Sequence, residues 1–272
     1  MDRVVGVRVD APSGPATLRA DLVVGTDGRA SVVRARSGLH AERMPQAFDV
    51  VWAKLPLPGF LPPGGGRAYL GARHFALAFP SYDGRLQLGW IIAKGSFGDL
   101  RRRGVDAWLA EMEAHVSSDL AQHLAATRDA ITSPFLLDVV CDRVERWTVP
   151  GALLLGDAAH AMSPVGAQGI NLALRDAIVA ANHLVPVLER GGDPVAIDAA
   201  GARIEAERLP EVTLIQRLQQ GPPRLFFEPG AVRAMLRDAL IPLLLRTGIA
   251  ARIAGAVFRR FANGVTTVRL AA

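Results

Sequence analysis

Two short apolar runs, each stopped by a turn built on Gly and Asp, constrain this chain more than any other feature. The first is Asp21–Gly25 (DLVVG), running into Thr26-Asp27-Gly28. The second is Ala152–Leu155 (ALLL), running into Gly156-Asp157. A brief apolar run bounded by turn residues reads as a strand buried on both faces, as in a parallel sheet. Ligands of open α/β sheets bind outside the carboxyl ends of such strands, and Asp27 and Asp157 fall there. Ser31–Ser37 reads as a short helix after the first turn. After the second comes a loop with Pro164, Gly166 and Gly169, then a helix over Gly169–Leu188. Its expected face carries Ile170, Leu174, Ile178 and Ala181, with Leu184 and Leu188 beyond.

The stretch between the two runs has a different period. Asp49–Leu55, Arg67–Leu70, His74–Phe79 and Arg85–Ile92 read as strands, the last two joined by the hairpin signal Ser81-Tyr82-Asp83-Gly84. Val105, Trp108, Leu109, Met112, Val116, Leu120 and Leu124 fall at helical spacing, which predicts one amphipathic helix over Gly104–Thr127. Phe135–Val140 reads as a strand. Near the start, Val4–Val9 and Ala16–Ala20 read as a hairpin around Asp10–Gly14. Val195–Gln220 and Ala231–Phe261 read as helices broken at Pro210, at Gly221-Pro222-Pro223 and at Gly248. The fold class is therefore α/β, α+β overall: a domain in two sequence-distant pieces around an antiparallel β-rich insert, with a helical C-terminal region. The expected segments are 1–44, 45–141, 142–190 and 191–272.

Composition narrows the chemistry. A single cysteine, Cys141, excludes an internal disulfide and a cysteine-rich metal cluster. No metal site is expected, and Cys141 is expected to lie buried and inert in an apolar strand. The residues after Met1 lack a signal-peptide layout, and runs such as Ile241–Leu245 are too short to span a bilayer. A cytoplasmic location is the expectation. The net charge is +5, and from Arg224 onward eight arginines stand against Glu228 and Asp238. No nucleic-acid partner is expected. Arg246, Arg252, Arg259 and Arg260 read as a solvated face, or as a peripheral membrane contact.

The second turn is the stronger candidate site. Small residues in the Pro164–Gly169 loop let backbone approach a flat ligand. The helix behind it offers unpaired N–H groups and the positive end of its dipole. A ring that gathers negative charge on reduction suits that environment, and so does a phosphate.

The segment GDAAHAMSPVGAQGINLALRDA (Gly156–Ala177) resembles the second flavin motif of class A FAD-dependent monooxygenases, the para-hydroxybenzoate-hydroxylase-like and UbiH-like aromatic-ring hydroxylases. ADLVVGTDGRASVVR (Ala20–Arg34) resembles the internal Asp-Gly motif of that family. The resemblance implies a partial Rossmann-like FAD-binding domain around a β-sheet substrate domain. It implies that Asp157 holds the ribityl chain of non-covalent FAD. Gly156, Pro164, Gly166, Ala167, Gln168, Gly169, Ile170 and Asn171 would run beside the flavin ring, and Asp27, Gly28 and Arg34 near the ribose and pyrophosphate. Asp176 matches a further family position. The implied reaction uses NAD(P)H and O2 to hydroxylate a small aromatic, lipophilic or otherwise electron-rich substrate through a flavin hydroperoxide, with no catalytic side chain named. Family members begin with a GxGxxG βαβ unit. This chain shows none, so the expectation is an N-terminally truncated form lacking the adenosine half of the site. The alternatives are a related FAD-dependent oxidoreductase of the halogenase or polyprenyl-lipid reductase type, and a non-catalytic fragment.

Simpler readings stand beside these. Asp27 is also a good helix N-cap. Arg34 pairs with a phosphate or with a neighbouring carboxylate. His160 reads as a packed, hydrogen-bonded residue rather than a catalytic one, and Phe79, Tyr82 and Trp90 read as strand core rather than pocket lining.

Overall fold

The computed structural model describes residues 3–71, 74–131, 134–227, 247–248, 252, 255–256, 259 and 264–271. In chain order the elements are β1 (Gly6–Ala11), β2 (Gly14–Arg19), β3 (Val23–Gly25), α1 (Val32–Arg36), β4 (Ala41–Arg43) and β5 (Phe48–Pro56). Then come β6 (Arg67–Gly71), β7 (His74–Pro80), β8 (Arg85–Ala93), α2 (Phe97–Glu113), α3 (Ser118–Thr127) and β9 (Phe135–Leu137). Last are β10 (Asp142–Val144), β11 (Thr148–Val149), β12 (Ala152–Leu154), α4 (Gly169–Glu189) and α5 (Pro194–Phe227). Two units emerge: Met1–Pro45 with Val140–Gln220 and Ile249–Ala272, and Gln46–Val139 with Gly221–Gly248.

In the first unit, β3 and β12 pair in parallel, with Val23 opposite Ala152, Val24 opposite Leu153 and Gly25 opposite Leu154. The two apolar runs are thus neighbours, and both turns leave the same end of one small sheet. β11 adds antiparallel to the far side of β12. Leu153 and Leu154 are fully buried and pack with Trp147, Val179, Ile197, Ile204 and Val212. Each such leucine contributes roughly 2 kcal/mol through burial. β1 and β2 form the expected hairpin. The strand pair β4–β10 was not visible in the sequence, because three-residue strands carry no period.

α4 begins where expected but turns a different face inward. Leu172, Asp176, Val179, Ala180 and Leu184 are its buried residues, while Ile170, Leu174 and Leu188 are exposed. The buried stripe runs through an aspartate, which an apolar pattern cannot register. α5 runs unbroken through Pro210 and Gly221–Pro223. The expected helix over Ala231–Phe261 lies largely outside the described residues, as do Arg246 and Arg260. Among the described residues no helix is long and apolar enough to cross a membrane.

In the second unit, five strands form an antiparallel sheet in the order β6-β7-β8-β5-β9. Val51, Ala53 and Leu55 of β5, with Leu86, Leu88 and Trp90 of β8, are buried against Leu100, Trp108, Leu109, Met112, Leu120 and Leu124. The single helix expected over Gly104–Thr127 is two helices, α2 and α3. α2 also starts earlier and bends at Gly104, whose φ of 85° and ψ of 168° leave the helical region. Trp52 lies across Gly89, where a Cβ would stand 2.6 Å from the indole, and meets Phe79 edge-on at 5.9 Å. Lys94 ties strands together, donating to Asp49 at 2.7 Å, Asp138 at 2.5 Å and the Val139 carbonyl at 2.7 Å. A cavity of about 430 Å³ is lined by Val51, Leu100, Arg101, Trp108 and Leu136 among others. Phe79, Tyr82 and Trp90 do not line it: Trp90 is core, and Tyr82 is exposed under the Lys54 ammonium. The strand expected over Phe135–Val140 stops at Leu137. Cys141 lies outside any strand, yet it is buried, and burial pushes its thiol pKa up.

Candidate functional site

All of the sequence-predicted site residues lie in the first unit. The β3 turn is rigid. The Asp27 carboxylate accepts from the Ser31 hydroxyl at 2.5 Å and from the backbone N–H groups of Val32 at 2.6 Å and Val33 at 3.1 Å. Ser31 in turn accepts from the Arg34 N–H at 2.9 Å. Two oxygen-bearing side chains thus satisfy the open amino end of α1. Partial burial alone would raise the Asp27 pKa. The Ser31 and backbone donors outweigh it, and the pKa falls below its usual value. Gly28 turns the chain with φ of 81°. Among the described residues the Arg34 guanidinium donates to the Ala158 carbonyl at 2.9 Å and to the Arg29 carbonyl at 2.7 Å, not to a carboxylate. It clamps one turn to the other.

The β12 turn depends on Gly156. Its φ is 58°, and a Cβ there would press on Ala173 at 3.1 Å. Its N–H donates to the buried Asp176 carboxylate at 3.1 Å. Asp176 also takes the His160 Nε2 at 2.7 Å and the Arg208 Nε at 2.8 Å. Arg208 bonds Glu211, and Glu211 accepts from Arg175 at 2.5 Å, the Val265 N–H at 2.6 Å and the Thr266 hydroxyl at 3.0 Å. Burial would raise both carboxylate pKa values, but these donors and cations win. Asp176 lies below its usual range, held by His160 and Arg208, and Glu211 falls to about 2 through Val265, Arg175 and Arg208. The sequence showed Asp176 only through the family motif and missed Arg208 and Glu211. An i,i+3 Arg–Glu pair on a helix normally marks solvent. His160 is buried against Trp147, with ring centroids 4.9 Å apart, which makes it a packing residue.

Asp157 differs from the other acids. It is half-buried, and its carboxylate makes no hydrogen bond to any described residue. A Cβ on Gly169, the first residue of α4, would lie 4.0 Å from its Oδ1. The loop between them, Pro164 to Gln168, holds an uncommon backbone. Gly166 has φ of 73°, and Ala167, at 52°, is the one non-glycine with positive φ among the described residues. A non-glycine residue there costs about 1 kcal/mol or more and signals over-determined local structure. Gln219 supplies the determination, donating to the carbonyls of Ser163 at 2.9 Å and Val165 at 2.7 Å, and Gln168 donates to Gly166 at 2.7 Å. No side chain caps α4. The first-turn N–H groups at Gly169, Ile170 and Asn171 are thus left to a ligand or water, beside the positive end of the dipole.

A sequence profile described as an FAD-binding domain matches residues 1–213. The chain belongs to the FAD-binding domain family. FAD is the cofactor of that family. This FAD-binding domain is 35% identical to the 6-methylpretetramide 4-monooxygenase of Streptomyces rimosus over 98% of its own length and 62% of the relative's. It is 30% identical to the ubiquinone hydroxylase UbiL of Rhodospirillum rubrum, over 91% and 55%. Among solved structures it resembles PqsL of Pseudomonas aeruginosa, a probable FAD-dependent monooxygenase, with a TM-score of 0.68 and 26% identity over 81% of this chain and 60% of that one. The FAD-binding domain chain thus spans less than two thirds of the length of these relatives. They are a monooxygenase, a hydroxylase and a probable FAD-dependent monooxygenase, in keeping with the class A motifs.

Proposed function

We propose that this domain holds FAD non-covalently and serves the NAD(P)H- and O2-dependent hydroxylation of a small aromatic or lipophilic substrate, in the cytoplasm. The observation that carries the reading is Asp157: a carboxylate at the carboxyl end of β12 without a partner among the described residues, against the amino end of α4, which no side chain caps. A ribityl chain brings hydroxyl donors, and an ionised carboxylate is the matching acceptor. The backbone N–H groups of Gly169, Ile170 and Asn171 and the α4 dipole suit the electron-rich pyrimidine edge of a flavin. Pro164 and the left-handed Gly166-Ala167 pair give that loop a flat, preset surface that keeps water from it. Gly156 keeps side-chain bulk out of the turn. Gly28 and the Asp27 turn border the ribose and pyrophosphate side through their backbone, since the Asp27 carboxylate is engaged with α1. Arg34 acts by holding the two turns together. When bound, the flavin accepts hydride and activates O2, and the protein's part is to bind, orient and exclude water.

The test is the purified protein supplied with FAD, NADH or NADPH, and a phenolic substrate under ¹⁸O2. The reading expects a yellow protein, O2-dependent oxidation of reduced nicotinamide, and ¹⁸O in the product. A protein that takes up no FAD sinks the cofactor site. FAD uptake with no ¹⁸O product sinks the monooxygenase reading alone.

A further inference from the structure

The cavity of about 430 Å³ lies wholly within the second unit, between α2 and the β5–β9 edge of the sheet. Val51 and Leu136 line it from the strands. Successive strand residues face opposite ways, so the cavity is on the helix-covered face with Val51 and not on the face that carries Trp52. Arg101, Gly104 and Trp108 line it from α2. They are three and four positions apart, and so share one side of the helix. Gly104 leaves that side without a side chain at its centre: a Cβ there would meet nothing within 4 Å. The bend at the same residue opens the helix further. The resulting volume is that of a small-molecule site.

The lining is apolar apart from two donors. Arg102 pairs with Asp99 and Arg103 with Glu111, but no ion pair among the described residues takes the exposed Arg101 between them and the cavity wall. Trp108 is 2% exposed, and its Nε1 is buried without a hydrogen-bond partner among the described residues. Buried indole N–H groups ordinarily find an acceptor. Guanidinium and indole only donate, and no lining side chain accepts. An amine would meet like charge here, and a polyphosphate or a nucleic-acid backbone needs several cations. One cation at the exposed end and an apolar interior suit a single negative charge on an apolar body. Arg101 and Trp108 are seven positions apart, about 10 Å along a helix, which sets the distance between that charge and a second acceptor.

We propose that the second unit binds an accessory ligand in this cavity: a small amphipathic monocarboxylate that carries a carbonyl or other acceptor toward its far end. Arg101 takes the carboxylate, the Trp108 indole N–H takes the acceptor, and the apolar chain between them lies under the Gly104 gap against Val51 and Leu136. Every residue of the candidate flavin site is in the first unit, so this site and the flavin reading stand or fall separately.

The test is titration of the full chain, ¹⁵N-labelled at its tryptophans, with 7-oxooctanoate, with octanoate and with the neutral 2-octanone, each without FAD and at saturating FAD. The expected result is that 7-oxooctanoate shifts the Trp108 indole resonance, assigned by its loss in Trp108→Phe, and leaves those of Trp52 and Trp147 in place. Octanoate, which lacks the second acceptor, binds several-fold more weakly. Arg101→Gln weakens binding of both acids by about 10-fold or more, leaves that of 2-octanone unchanged, and does not alter the melting curve, because Arg101 is exposed and holds no described carboxylate. Three results overturn the proposal. They are a Trp108 resonance that 7-oxooctanoate does not move, acid binding indifferent to Arg101→Gln, and octanoate or 2-octanone bound as tightly as the oxo acid.

Discussion

Arg34 and Ala158 stand 124 positions apart in sequence, and the guanidinium of the first donates to the carbonyl of the second at 2.9 Å. That bond joins the turns of the two parallel strands, and a second one, to Arg29, fixes the guanidinium in place. Lysine keeps the charge but cannot present two donors in one plane. Arg34→Lys is therefore expected to lower stability by about 1–3 kcal/mol, seen as a drop in melting temperature with the net charge unchanged. An unaltered melt would show that the clamp contributes nothing and would return Arg34 to the role of a phosphate ligand.

Asp176 holds Gly156, His160 and Arg208 at once with no exposure to solvent. Asp176→Asn leaves the buried Arg208 with a weaker partner, and breaking such a pair costs about 3–5 kcal/mol. Urea denaturation is expected to show most of that loss. Adding Arg208→Met, which removes the orphaned charge, should recover part of it. Equal stability of the two variants would mean that Asp176 and Arg208 are not coupled.

The pKa of Glu211 falls from 4.5 to about 2 on folding. A depressed carboxylate pKa contributes stability that is fully present above the unfolded value and is lost as pH falls through the folded one. Unfolding free energy measured between pH 5 and pH 2 is expected to decline, and Glu211→Gln should flatten part of that slope while lowering stability at pH 7. Parallel curves for the two proteins would contradict the assignment.

Where the sequence was readable, burial and turn chemistry agreed. ALLLG is a buried strand, and DLVVG is a strand in the expected place whose Val24 is exposed rather than buried, and β5 alternates from Val51 to Leu55 against one apolar face. The failures have particular causes. The face of α4 was misread because its inward stripe runs through Asp176, which is paired with Arg208 and hydrogen-bonded to His160. The break in α2 was missed because Gly104 looks like a tolerated helical glycine, whereas its φ is 85°. The two carbonyls that Arg34 reaches were not readable either, because nothing local marks them as its partners. The positive φ of Ala167 left no trace, since the Gln219 that enforces it is 52 residues away. Asp157 could be singled out from its position alone, and among the described residues nothing takes its carboxylate.

Asp157 is thus where the account is most exposed, and FAD titration of Asp157→Ala against the unaltered chain, by flavin fluorescence, tests it most directly. The lost charge-assisted bonds predict binding weaker by about 10-fold or more, with the melting curve of the flavin-free protein unchanged, because Asp157 holds no described residue. Equal FAD affinity in the two proteins would contradict the placement of the flavin at the β12 turn.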